Sequence, residues 1–350
     1  MSFDIFKDKG LSGLANLGNT CFINSCLHIL SHTYELNLFL DMKTYTRRLN
    51  NQYDSALLIE WDHLRQVMWN ENCIVAPHKF IHAVHKIAKL KKNEIFTGFS
   101  QNDLSEFFVF VIDCFHNALK REVDITIHGK PANETDRIAL ICFQMIQKMI
   151  SKEYSEIWSL FNGIHVSQIY SLPQGKAAPE LLSSTPEPFF IINLSIPKDI
   201  RMPTLYDCFD LYVQDEVLEG ENAWYNETTQ TKQNVKRSIQ FWSLPTLLAI
   251  DFKRFVDTRR KNQIMIDFPI QHLDLTDYVI GYKKHTYIYE CYGICNHSGG
   301  LHGGHYTSFV KNANGKWYHF NDTFVNEVTN MDELITPKAY CLFYRKKVVV

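Results

Sequence analysis

The sequence predicts an α+β protein in which a helical part comes first and an antiparallel sheet follows. Two observations predict this class. Apolar residues in the first half recur with the 3.6-residue period of helices, and short β-type runs prevail after residue 189. The 350 residues, 45% of them hydrophobic, are typical of a packed globular protein. A cleft between the two parts is where we expect a site.

Three segments show the helical period most clearly. The first begins at about Thr20 and carries apolar residues on one face. The second spans 103–120, with Asp103 and Glu106 at the positions of a capping box. The third spans 136–150. All three are predicted core helices.

The second half predicts strands with one short helix among them. Predicted strands are 189–196, 238–242, 246–255, 286–294, 306–310 and 340–346, and the helix is 204–213. The segment 171–188 carries four prolines, so it is predicted as a loop or an insertion. The turn NANG at 312–315 predicts a hairpin.

Charge and cysteine content narrow the possible partners. Thirty-six basic and 38 acidic residues give a formal charge of -2, so no overall field favours nucleic acid or an anionic membrane. No apolar stretch is long enough to span a bilayer. Nine scattered cysteines without a C-x-x-C pair indicate reduced thiols in an intracellular compartment, the cytoplasm or nucleus. We expect a monomer.

Cys21 is the candidate nucleophile. It follows a turn that contains Gly18 and Asn19, and it stands where a helix begins. Unpaired N–H groups and the helix dipole at such a position favour an anion, so we expect a lowered pKa for the Cys21 thiol. The other cysteines of the predicted helices, Cys26, Cys114, Cys142 and Cys208, are expected to be small buried apolar residues.

His305 is the candidate base. It lies in GGLHGGHYTSFV, where glycines allow another chain to approach closely and the following strand holds the histidine in place. A histidine base needs a third group to accept from its other ring nitrogen. The neighbouring run KWYHFND offers Asn321 and Asp322, and either residue could serve.

These segments resemble the boxes of a known family. GLANLGNTCFINS resembles the cysteine box of ubiquitin-specific proteases, GFSQNDLSEFF their Gln-Gln-Asp box, LLAIDFKRF their Leu-Lys-Arg-Phe strand, and HGGHYTSFV with KWYHFND their histidine box. The resemblance implies a papain-like fold with a helical thumb, a β-rich palm and β-fingers. It implies one catalytic domain over 10–347, with the thumb at about 10–155 and the fingers and palm at about 156–347.

The resemblance also implies an activity and its catalytic residues. The expected reaction is thiol-dependent hydrolysis of isopeptide or peptide bonds at the C-terminal glycine of ubiquitin, so ubiquitin and ubiquitinated proteins are the expected partners. Cys21 matches the nucleophile and His305 the base. Asn321 matches the third triad member and is preferred to Asp322. Asn16 matches the side chain that donates to the oxyanion.

Four further residues match the channel for the ubiquitin tail. Asp103 matches the acidic residue that contacts the tail, where a carboxylate can pair with arginine. Gln101 belongs to the same box, and Tyr306 matches a residue lining the channel. Gly304 forms part of a glycine-rich wall. Such a wall suits the Gly-Gly end of ubiquitin, because the cleft that holds this end must be too narrow for side chains. A helix cap is the alternative role for Asp103.

The chain departs from the family at its zinc site. Many members carry two C-x-x-C pairs, whereas Asn226 and Thr229 stand at one pair here, and 167–176 holds no cysteine. We therefore expect no zinc and no other cofactor. A catalytically silent ubiquitin-binding scaffold, a protease for another ubiquitin-like modifier and another papain-like enzyme are the alternatives. Hydrolysis of matched conjugates separates them.

Overall fold

The helices lie before the main strands, as predicted. The computed structural model describes residues 3–50, 52–173, 178–255, 260–300 and 303–348. The α-helices are α1 Cys21–Ser31, α2 Tyr34–Asp41, α3 Asp54–Asn70, α4 His78–Leu90, α5 Leu104–Leu119, α6 Glu134–Ile150, α7 Glu156–Phe161 and α8 Leu205–Val213. Short 3-10 helices span Asp4–Phe6, Thr44–Arg47, Glu94–Phe96, Gly220–Asn222, Thr276–Tyr278, Lys284–Thr286 and Met331–Leu334.

The strands form one large sheet, a smaller sheet and two short pairs. They are β1 Gly13–Leu14, β2 Ile74–Val75, β3 Gly163–Ser171, β4 Leu181–Phe189, β5 Ile192–Leu194, β6 Glu216–Leu218, β7 Trp224–Asn226, β8 Thr231–Gln233, β9 Val235–Ser243, β10 Leu247–Phe252, β11 Leu273–Asp274, β12 Ile288–Gly300, β13 Gly303–Lys311, β14 Trp317–Asn321, β15 Phe324–Val328 and β16 Ala339–Lys346. This arrangement confirms the predicted α+β class.

Helix α1 joins the helical part to the large sheet. Every residue of α1 is buried, since one face meets α5 and another meets β12, β13 and β14. The same apolar core continues from α1 through α3, α4 and α5 to the sheet face that carries Tyr292 and Phe343. A helix buried on all sides holds its first residue, Cys21, in a fixed position between the two parts.

The large sheet brings the histidine hairpin beside α1. Its strand order is β15-β14-β13-β12-β16-β10-β5, and β11 pairs with β12. All neighbours are antiparallel except β10 and β5. Ser298 pairs with His305 across β12 and β13, and β14 follows through the predicted turn at 312–315. A second apolar core covers the opposite face under α8.

The predicted loop at 171–188 is partly wrong. Its second half forms β4, at the edge of the four-stranded sheet β4-β3-β9-β6. Pro186 and Pro188 fit there because an edge strand leaves one side without ladder hydrogen bonds. The residues 174–177 of that segment lie outside the described part. The division of the chain near residue 155 stays a prediction.

Within the described ranges, the helices are all too short or too polar to cross a membrane.

Candidate active site

The loop before Cys21 is shaped by the side chain of Asn16. Its Oδ1 accepts hydrogen bonds from the backbone N–H of Gly18 at 3.1 Å and of Thr20 at 3.2 Å. Gly18 and Asn19 adopt left-handed backbone conformations, with φ of 106° and 51°. Cys21 then opens α1. The Asn16 amide nitrogen is left free to donate outside the loop, to Asp322 Oδ2.

The pKa of the Cys21 thiol differs from the expectation. The sequence predicts a lowered pKa, but burial raises the pKa of this thiol, which is 3% exposed. The backbone of Tyr306 opposes the rise and the Asp322 carboxylate adds to it. The effect of burial on the Cys21 pKa is therefore larger than that of the helix N-terminus. The thiol needs a base to lose its proton at neutral pH.

His305 and Asn321 come together across the β13–β14 hairpin. His305 Nε2 lies 2.7 Å from Asn321 Oδ1. An amide oxygen only accepts, so this contact assigns the proton to Nε2 and leaves Nδ1 with a free lone pair. In the described structure no hydrogen bond within 4.0 Å joins the ring to Cys21 Sγ. The base and its orienting group are thus in place, while the described structure has no hydrogen bond between the base and the nucleophile.

Asp322 does not orient His305. Its backbone is left-handed, with φ of 50°, which turns the carboxylate toward the cysteine loop. Oδ2 accepts from Asn16 Nδ2 at 3.0 Å, and Oδ1 accepts from Asn24 Nδ2 at 2.8 Å. Of the two residues left open by the sequence, the structure brings Asn321 to the ring and Asp322 to Asn16.

Asn24 was missed by sequence reasoning. It lies one turn after Cys21 on α1 and is 1% exposed. The sequence signal that could have revealed Asn24 is a polar residue among mostly apolar ones at the start of the helix. A buried amide needs a partner, and the Asp322 carboxylate provides one. The bond links α1 to the end of the histidine hairpin.

Gln101 clamps the glycine-rich hairpin to the start of α5. Its Nε2 donates to Gly304 O at 2.9 Å and its Oε1 accepts from Gly304 N at 2.8 Å. Gly304 has no room for a side chain, because a Cβ atom there would lie 2.3 Å from His297 Nε2. Gly304 is therefore required by packing against the neighbouring strand, and its role in the wall of a channel stays a prediction.

Asp103 is half-buried and Tyr306 is buried, and both side chains have partners within the protein. Asp103 caps α5, and its Oδ1 accepts from the backbone N–H of Ser105 at 2.8 Å and of Glu106 at 3.0 Å. Its Oδ2 accepts from the Tyr340 hydroxyl. The Tyr306 side chain is 7% exposed and packs on His297, with ring centroids 4.5 Å apart. The helix-cap role of Asp103 is thus present in the structure.

Hydrogen bonds occupy the place of the zinc-binding pair. Asn226 Nδ2 donates to Gln233 Oε1 at 3.2 Å, and Gln233 Nε2 donates to Thr229 Oγ1 at 3.2 Å. These contacts tie β7 to β8. Within the described part of the chain, no group of three or more His, Cys, Asp or Glu side chains is placed to hold a metal ion.

Known proteins match this chain over nearly its full length. The family model of ubiquitin carboxyl-terminal hydrolases matches residues 12–344. Ubiquitin carboxyl-terminal hydrolase 2 of Homo sapiens is 32% identical over 96% of this chain and 55% of its own length, and that of Bos taurus is 31% identical over the same shares. The chain spans about half the length of these curated relatives.

Solved structures with the same fold include two modules of Ubp8 with Sgf11, Sus1 and Sgf73. One is bound to monoubiquitin and has a TM-score of 0.73 at 24% identity, covering 100% of this chain and 71% of that chain. The other is bound to ubiquitin aldehyde and has a TM-score of 0.72 at 24% identity, covering 99% and 71%. The likeness agrees with the papain-like fold expected from the sequence. The chain belongs to the ubiquitin carboxyl-terminal hydrolase family, as one of its ubiquitin-specific proteases.

Proposed function

We propose that this chain hydrolyses isopeptide and peptide bonds at the C-terminal glycine of ubiquitin. The observation that carries the proposal is the 2.7 Å contact of His305 Nε2 with Asn321 Oδ1, together with the contact of the buried Cys21 thiol with the backbone of Tyr306, the residue after His305. The names of the relatives and the ubiquitin-bound states of the solved neighbours support ubiquitin as the partner.

The chemistry begins with proton transfer. His305 Nδ1 takes the proton of the Cys21 thiol, and the thiolate attacks the carbonyl carbon of the terminal glycine. As the tetrahedral intermediate collapses, the imidazolium gives its proton to the leaving amine and a thioester remains. Water then attacks the thioester while His305 accepts its proton, and the thiol leaves with that proton restored. Asn321 holds the ring throughout by accepting from Nε2.

Asn16 is our candidate for the oxyanion donor. One hydrogen of its Nδ2 faces the Asp322 carboxylate, which leaves the second hydrogen for the developing oxyanion. Asp322 and Asn24 fix the direction of that amide. Removal of one such donor typically lowers kcat by about 10²- to 10³-fold. The backbone N–H groups at the start of α1 would add to the same field.

The glycine wall supports a glycine-rich substrate end. Gln101 fixes Gly304, and Gly304 carries no side chain, so the hairpin can meet an extended Gly-Gly backbone closely. Asp103 retains acceptor capacity beyond its cap and Tyr340 contacts, which suits an arginine of the ubiquitin tail. Tyr306 would contribute mainly through its backbone, since its ring is buried.

Two observations favour a second candidate, a silent ubiquitin-binding scaffold. Cys21 and His305 are not hydrogen bonded in the described structure, and burial raises the pKa of the Cys21 thiol. Ubiquitin with a fluorogenic C-terminal amide tests both candidates, with Cys21→Ala as the control. Hydrolysis by the natural chain alone supports the enzyme. Binding measured by calorimetry with no hydrolysis supports the scaffold, and preferred hydrolysis of another ubiquitin-like amide would change the substrate.

The remaining partner and location assignments are proposals as well. We propose that the chain is a monomer. We also propose that it binds neither nucleic acid nor membranes, because a formal charge of -2 gives no strong electrostatic field. We propose a reducing compartment, cytoplasmic or nuclear, since all nine cysteines are free.

A further inference from the structure

A trough runs along α4 on the outside of the helical part. It consists of two adjoining cavities of about 480 Å³ and about 410 Å³ that share His78 and His82. The first lies between α3 and α4, and the second reaches Leu17 and Phe99. We call the two cavities together the α4 trough.

The floor of the α4 trough is apolar. Ala56 and Ala83 line the first cavity from facing helices, and their small side chains leave space between the two helix surfaces. Tyr53 and Leu90 at its edges are 47% and 51% exposed, and Phe99 in the second cavity is 55% exposed. Large apolar side chains exposed along one cleft are typical of a binding surface.

The rim of the α4 trough is basic. Lys79 and Lys86 lie two turns apart on α4 and both line the first cavity. In the described ranges neither ammonium has a carboxylate within 4.0 Å. Among the described residues Glu60 is the carboxylate that lines this cavity. The surplus of positive charge favours an acidic occupant.

The α4 trough ends at the nucleophile loop. Leu17 lies four residues before Cys21, and the carbonyl of Phe99 accepts from Asn19 Nδ2 at 3.0 Å. The residues that we assign to the ubiquitin tail, Gln101 and Gly304, contact each other, and Gln101 follows Phe99 by two residues. The trough therefore lies within reach of a chain attached to the other side of the scissile bond.

We propose that the α4 trough binds an acidic segment with apolar side chains in the protein to which ubiquitin is attached. The inference rests on the proposed function, because it assigns the trough to the leaving side of the same bond. Apolar side chains of the segment would enter the floor, and its carboxylates would pair with Lys79 and Lys86.

Two peptide conjugates and a reference substrate test this inference. In both conjugates ubiquitin is linked to a lysine flanked on each side by leucine and glutamate, and the second conjugate replaces every glutamate by glutamine. The reference is ubiquitin with a fluorogenic amide, which has no segment beyond the bond. We compare the natural chain with Lys79→Glu/Lys86→Glu, and with Lys130→Glu/Lys198→Glu as a control of equal charge on other exposed surface.

The natural chain should cleave the acidic conjugate with a kcat/KM about fivefold above that of the amide conjugate, at about 50 mM salt. Lys79→Glu/Lys86→Glu should lose this preference and keep its activity on the reference, whereas the control pair keeps both. Equal kcat/KM for the two conjugates, or a preference that survives the Lys79→Glu/Lys86→Glu change, would overturn the inference. Absence of activity on the reference itself would instead refute the proposed function.

Discussion

Asp251 carries a prediction about stability and pH. It lies on β10, where all six residues are buried, and its own side chain is 7% exposed. Burial, together with the nearby Asp103 carboxylate, raises the pKa of Asp251 to about 7. The Cys341 thiol donates to its Oδ1 at 3.3 Å. The folded protein therefore holds this carboxyl protonated in a pH range where the unfolded chain has it ionised.

The sign follows from proton linkage. Between pH values of about 4 and 7 the folded state binds one more proton than the unfolded state, so the free energy of unfolding falls as the pH rises through this window. The shift of the Asp251 pKa from 3.8 to about 7 corresponds to about 4 kcal/mol as an upper bound. Above about pH 7 the Asp251 carboxyl is ionised in both the folded and the unfolded state, so its contribution to the free energy of unfolding no longer changes with pH.

Asp251→Asn removes the titration and keeps the shape of the protonated side chain. We expect the variant to match the natural chain near pH 3, below both pKa values, and to exceed it by about 2 to 4 kcal/mol in free energy of unfolding at pH 8. Urea unfolding followed by tryptophan fluorescence at each pH measures this difference. Asp332→Asn changes an exposed carboxylate and is the control. Parallel pH profiles of the natural chain and Asp251→Asn would refute the reasoning.

Four further predictions follow from the site and the small hairpin. Asn321→Ala should lower kcat on a ubiquitin amide by about 10²- to 10⁴-fold, and Asn321→Asp should restore most of it; an unchanged kcat in the alanine variant would contradict the triad. Asn24→Ala should lower kcat by about tenfold with little change in KM, because it frees the Asp322 carboxylate that holds the oxyanion donor; a change in KM alone would argue against this. Gly304→Ala should lower kcat/KM by at least about tenfold, since its Cβ would meet a ring nitrogen at 2.3 Å, and normal kinetics would disprove the close wall. Asn226→Ala should reduce the free energy of unfolding by about 1 kcal/mol, whereas a zinc chelator should leave it unchanged; one zinc per chain by metal analysis would overturn the second expectation.

Two long helices, α5 and α6, were predicted well because local pattern alone decides them. The segments predicted at 103–120 and 136–150 are α5 and α6 within two residues at each end. The sequence did not reveal α3, whose face toward the core carries Asp62 and Arg65. The two side chains form an ion pair at 2.6 Å on this face. In the sequence they stand as charged residues at core positions, so they interrupt the apolar period.

The candidate active site was also predicted only in part. Cys21, His305 and Asn321 stand in motifs that are readable from the sequence, and the structure brings His305 and Asn321 together. The contacts of Asp322 could not be read, because they depend on Asn24, 298 positions away in the chain, and on a left-handed backbone at Asp322 itself. The direction of the Cys21 pKa was wrong because burial at the top of α1 follows from tertiary packing.

Reaction with a ubiquitin that carries a thiol-reactive group at its C-terminal glycine tests the central claim most directly. Intact mass spectrometry of the natural chain, Cys21→Ala and His305→Ala reports the product. The account predicts one covalent ubiquitin on the natural chain, none on Cys21→Ala and a strongly slowed reaction for His305→Ala. Capture that persists in Cys21→Ala, or a natural chain that binds ubiquitin without reacting, would contradict it.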